Sequence, residues 1–82
     1  MKEKIKNCYK MIRKGIKDYK INPDDICVIY FYTNEPDETF PLWQLNAQIQ
    51  TLNGDYNLMS FSEKNFDCNF KTTYNRLRKG DV

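Results

Sequence analysis

Trp43 to Phe61 reads WQLNAQIQTLNGDYNLMSF. Two readings compete over it. A helix from Pro41 aligns Leu42, Leu45, Ile49 and Leu52, with Asn53-Gly54 as a C-terminal stop. A pair of strands instead alternates Trp43, Leu45, Ala47, Ile49 and Thr51 with Gln44, Asn46, Gln48 and Gln50, without a break. Asn-Gly between alternating hydrophobic runs is the strongest short-range hairpin signal, and the strand reading is preferred. With Asn53-Gly54 as a two-residue type I′ loop, Leu52 is expected opposite Asp55, Thr51 opposite Tyr56, Ile49 opposite Leu58 and Ala47 opposite Ser60. The apolar sets of both strands then share one face, which a one-residue slip would undo.

Upstream, residues 3 to 20 read as one helix. Ile5, Cys8, Tyr9, Ile12, Ile16 and Tyr19 recur at helical spacing as one apolar stripe. Lys6, Lys10, Arg13, Lys17 and Lys20 form a second, basic stripe about a quarter turn or more away. Gly15 costs this helix about 1 kcal/mol relative to Ala. Asn22-Pro23-Asp24-Asp25 ends it. Ile26 to Thr33 reads as a strand whose alternate residues are apolar on both sides, as for an interior strand covered on both faces. Residues 34 to 38 form a polar turn.

Downstream, Phe66, Cys68, Phe70, Thr72 and Tyr74 alternate as a strand. A loop over Glu63-Lys64-Asn65 would fold it back beside the hairpin. Phe66, Phe70, Tyr74 and Leu77 equally fit a helix capped by Ser62. Asn, Asp and Thr between them are poor helix formers, so strand is preferred. The expected fold is α+β: an N-terminal amphipathic helix packed on an antiparallel β-meander of three or four strands, in the order αββββ. The alternative is αβββα, with a C-terminal helix.

Eighty-two residues, 40% of them hydrophobic and 15% aromatic, suffice for one small core, so a single domain over 1–82 is expected. No apolar run is long enough to span a bilayer, and nothing resembles a leader peptide; a cytoplasmic location is the expectation. Phe, Tyr, Met, Ile, Asn and Lys make up about half of the chain, while Gly, Ala, Arg and Pro are scarce. That bias belongs to AT-rich genomes, including those of phages and mobile elements.

The composition offers no catalytic kit. Histidine is absent, and with it the commonest acid-base and metal-binding residue. Cys8, Cys27 and Cys68 are widely spaced, with no CxxC, so no metal site and no cofactor are expected. No glycine-rich phosphate loop is present. Ser60 and Ser62 have no evident base beside them. The paired carboxylates, Asp24-Asp25 and Glu35 with Asp37 and Glu38, fall in turns, where acidic residues are common. An enzyme is not expected.

Charge, by contrast, is segregated. Residues 2–20 carry eight basic and two acidic groups, residues 22–67 one basic and eight acidic, and residues 68–82 four basic and one acidic. Two basic ends flank an acidic middle. The helical stripe, joined by Arg76, Arg78 and Lys79, suits phosphates or an acidic protein surface. Lysine predominates there, so any nucleic-acid contact would be to the backbone, without sequence preference. A membrane partner is not expected, because the apolar stripe is needed to cover the sheet. The acidic loop of Glu35, Asp37 and Glu38 could mimic phosphates against a basic partner. Trp43, Tyr30 and Tyr32 are of the types found at interface anchors.

Gln50-Thr51-Leu52-Asn53-Gly54 resembles the Gln-x-Val-x-Gly hairpin of cystatins, with Leu for Val and an extra preceding strand. If the last segment is helical, the chain also resembles double-stranded-RNA-binding domains. Ser62, Lys64, Phe66, Phe70 and Tyr74 then fall where that family has Ser, Lys and three small residues. The family's lysine cluster is interrupted here by Glu63, Asn65 and Asp67, and its histidine loop by acidic residues 34–38. Both departures argue against RNA binding.

These readings converge on a small non-catalytic interaction protein that binds and inhibits or modulates a larger partner. A protein partner is the first expectation, with phage or mobile-element origin and an anti-CRISPR-like inhibitor as one option. Nucleic-acid binding through the basic helix is the alternative. An edge strand leaves room for a homodimer.

Overall fold

The computed structural model describes residues 2–82. Helix α1 spans Glu3–Tyr19, and strands β1, β2, β3 and β4 span Ile26–Asn34, Trp43–Thr51, Gly54–Ser62 and Phe70–Thr72; helix α2 spans Tyr74–Lys79. The strands form one antiparallel sheet in the order β3-β2-β1-β4. The expected α+β architecture, a helix on a four-stranded antiparallel sheet, is present.

Helix α1 forms because its apolar positions fall on one side. Cys8, Ile12 and Gly15 are buried there. Its end is fixed by Lys20 in the left-handed conformation (φ 55°), whose N–H, like that of Ile21, donates to the Ile16 carbonyl. A short 3-10 turn at Pro23–Asp25 follows, with the Asn22 side chain accepting from the Asp24 N–H at 3.0 Å. The core lies between α1 and one face of the sheet. Ile29 and Phe31 of β1, Leu45, Ala47 and Ile49 of β2, and Leu77 of α2 fill it, with Ile21 and Cys68 from the connections.

Three local expectations are corrected. The β2–β3 hairpin exists, but its register is displaced by two residues. Thr51 faces Gly54, Ile49 faces Tyr56 and Ala47 faces Leu58. The loop is Leu52-Asn53, and neither residue takes a positive φ; Gly54 takes it instead, at 135°. The Thr51 hydroxyl closes this turn by accepting from the Asn53 N–H and donating to the Gly54 carbonyl at 2.7 Å. A two-residue displacement leaves every side chain on its expected face, so the hydrophobic pattern does not distinguish the two registers.

The last segment is both strand and helix. It supplies β4 at 70–72 and α2 at 74–79, and the helix is capped by Thr73, not Ser62; the Thr73 hydroxyl accepts from the Arg76 N–H at 3.3 Å. Nor does it fold back beside β3. It crosses to the far edge and pairs with β1, setting Phe70 against Phe31 with ring centroids 5.0 Å apart. Burying Phe70 and Leu77 around the core is the gain that a hairpin onto β3 would lack.

Finally, β1 is interior but covered on one face only. Ile29 and Phe31 are buried, whereas Tyr30 and Tyr32 are 37% and 49% exposed. Their rings tolerate water because each ends in a hydroxyl.

Candidate interaction surfaces

Three surfaces are presented by this fold. The first is the outward side of α1. Lys6, Lys10, Arg13 and Lys17, with Lys20 at the helix end, are all exposed. Lys14 enlarges the row; it lies off the stripe on the β3 side and was not singled out by the stripe pattern. It pairs with Asp18 at 2.7 Å, and that carboxylate raises the lysine's pKa. This is the one ion pair among the described residues; Lys4 donates to a backbone carbonyl and Arg13 lies over an aromatic ring, while Lys6, Lys10, Lys17 and Lys20 are exposed and outside any ion pair.

The two basic ends do meet. Tyr9 of α1 and Tyr74 of α2 pack with ring centroids 6.3 Å apart, and the Arg13 guanidinium lies over Tyr9 at 5.7 Å. Desolvation pushes the Tyr74 phenol above its ordinary pKa, while the charges of Arg78 and Arg13 pull the other way. Arg76 is not part of this cluster. Its guanidinium donates to the Asp81 carbonyl at 2.6 Å, at the end of α2. Lys79 is exposed in the last turn of α2.

Beside α1 runs the second surface, an open trough against β3. Lys6, Lys10, Lys14 and Met11 form one wall, and Leu58 and Ser60 the other. Helix and strand touch where Gly15 meets Leu58; a Cβ on Gly15 would stand 2.5 Å from Leu58 Cδ1. Farther along, Ser60 is exposed although it belongs to the core side of the strand, so the trough opens there. β3 has a neighbour on one side only, so half of its backbone N–H and C=O groups face outward.

The opposite face of the sheet is the third surface. Gln44, Asn46, Gln48 and Gln50 run down β2, flanked by Tyr30 and Tyr32 on β1 and by Met59 and Phe61 on β3. Asn46 is buried; it accepts from Gln44 Nε2 at 3.3 Å and donates to the Tyr32 carbonyl at 3.5 Å. The acidic loop folds over this face. Phe40 packs on Phe61 with centroids 4.9 Å apart, and the Asp37 carboxylate accepts from the N–H groups of Thr39 and Phe40 at 2.9 and 2.7 Å. Asp37 thus shapes the turn, while Glu35 and Glu38 stand exposed. Trp43 has the parity of Leu45 and lies half-buried on the core side, away from Tyr30 and Tyr32.

The chain matches no protein-family model, no curated protein and no solved structure. Among the described residues no three His, Cys, Asp or Glu side chains gather as metal ligands would, and no helix is long and apolar enough to cross a membrane.

Proposed function

We propose that this chain is a non-catalytic binding module that docks on a larger protein partner and modulates or inhibits it. The observation that supports the reading is the free edge of β3 beside the lysine wall of α1. An extended segment can add to that edge through backbone hydrogen bonds, while alternate side chains point into the trough. The wall selects its chemistry: acidic residues meet Lys6 and Lys10, beside Lys14 with its own partner Asp18, and basic ones are repelled. The same lysines work against pairing of two copies along β3, because like charges would face one another. The occupant is therefore an acidic extended segment of another protein. A phage or mobile-element inhibitor acting on host machinery is the setting that the AT-rich composition suggests.

A displayed library of extended peptides, selected on the immobilised full chain, tests this. The expected winners carry Asp or Glu at alternate positions and shift the backbone amides of Asp55 to Ser62. Replacing Lys6, Lys10 and Lys14 by Glu should weaken them at least about tenfold, the equivalent of 1.4 kcal/mol. Winners of no particular charge that map to Tyr30 and Tyr32 would sink the β3 assignment. No winners at all would sink the protein-partner reading.

The packing of Tyr9 on Tyr74, which brings the two basic ends together, favours a second reading, binding to nucleic-acid backbones. Fluorescence anisotropy with duplex RNA, duplex DNA and single strands, at about 50 and about 200 mM salt, decides it. Binding that collapses at the higher salt, and is lost when Lys10, Arg13 and Lys17 become Glu, would favour this reading over the first.

A further inference from the structure

Cys8 and Cys68 meet in the core. Their sulfurs are 3.3 Å apart, and the residues are 0% and 6% exposed. Both are free thiols, one on α1 and the other on the crossover between β3 and β4. Cys27 stands apart, exposed at the start of β1.

We propose that Cys8 and Cys68 are a redox modification site: exchange with a low-molecular-weight disulfide, such as oxidised glutathione, joins them and staples α1 to the crossover. The Cys68 thiolate attacks one sulfur of the small disulfide. A mixed disulfide forms, and one small thiol leaves. The Cys8 thiol, giving its proton to the departing small thiolate, then attacks Cys68 Sγ and expels the second small thiol. Two protein thiols are oxidised and one small disulfide is reduced to two thiols, so atoms and electrons balance. Closing the bond brings the sulfurs together by roughly 1 Å, to the usual S–S length.

The surroundings favour Cys68 as the first nucleophile. Its flanking residues, Asp67 and Asn69, are exposed and hydrogen-bonded to Thr33 at the surface, whereas Cys8 sits inside α1 with no exposure, so Cys68 is the sulfur nearer to solvent. The Lys4 ammonium donates to the Asp67 carbonyl at 3.2 Å. Hydrogen bonding from Cys8 favours the Cys68 thiolate, and the Lys4 charge assists, while the shared contact pushes Cys8 up. The consequence is mechanical. Lys6 and Lys10 flank Cys8 on α1, so the staple fixes the basic wall relative to the sheet.

The full chain with Cys27→Ser tests the proposal and leaves the core untouched. Incubation with oxidised glutathione should remove two hydrogens from the intact mass. Digestion should then release a peptide linking Cys8 to Cys68, and Tm should rise by roughly 10 °C or more. A reductant should restore both thiols. A stable mixed disulfide at either cysteine would overturn the proposal, as would disulfide-linked dimers or two thiols that stay free at equilibrium. None of these outcomes depends on which partner the basic wall meets.

Discussion

Lys20 holds a left-handed backbone that a side chain adopts at a cost of about 1 kcal/mol, because Cβ approaches the following carbonyl. Glycine has no such atom. Lys20→Gly should therefore raise the free energy of unfolding by about 0.5–1 kcal/mol in a denaturant titration, although a charge is lost. Gly15 has the opposite logic. Its missing side chain lets α1 rest on Leu58, so the helix-weakening residue of the sequence is a packing residue in the fold. Gly15→Val should cost about 1–3 kcal/mol by overpacking, and adding Leu58→Ala should recover part of that loss. Tyr74 supplies a pH dependence. Its pKa is raised in the fold, chiefly by desolvation, so the folded chain holds this proton more tightly than the unfolded one. The stability it contributes is present at neutral pH and fades as pH climbs past the ordinary tyrosine value toward the folded one. In a phenolate absorbance titration, Tyr74→Phe should remove a component that ionises above the ordinary tyrosine value.

Among the elements, α2 is the clearest product of tertiary packing. Six residues are too few to be helical alone, and the segment survives because Leu77 is fully buried and Thr73 caps it. Leu77→Ala should cost about 2–5 kcal/mol, read from chemical unfolding; a cost near zero would mean that α2 is an appendage. The long elements were legible in the sequence because their periods were long. Cys8 and Ile12 announce α1, and Leu45, Ala47 and Ile49 announce β2. The hairpin was legible in its existence and its faces, but not in its register. A displacement of two residues is invisible to a period of two, and the closing role of the Thr51 hydroxyl has no pattern. The strand β4 is three residues long, so which edge it would join was decided by where Phe70 and Leu77 found cover.

At the scale of the molecule, charge is sorted by face. The cations of α1 lie on one side, and the acidic loop folds over the other. Lys6 and Lys10, and Arg13 and Lys17, are like-charged neighbours four residues apart, each pair costing about 0.2–0.5 kcal/mol. Raising NaCl toward about 1 M, where screening reaches within about 3 Å, should stabilise the chain by roughly 1 kcal/mol. A loss of stability with salt would mean that attractive contacts dominate. The basic stripe of the candidate site was readable from helical spacing alone. The meeting of the two basic ends at Tyr9 and Tyr74, the place of Lys14 and the trough were not, because each depends on where α2 and β3 come to rest.

The crossing of the chain from one edge of the sheet to the other also sets an order of assembly. β1, β2 and β3 pair through short loops and can zip in sequence, whereas Phe70 reaches Phe31 only after the intervening hairpin is in place. The β4–α2 tail is then the last piece to arrive and the first to leave. In native-state amide exchange, Lys71 and Leu77 should lose protection at lower denaturant than Ile49. Before that tail docks, the outer edge of β1 stands bare, and a finished three-stranded sheet waits for its clasp.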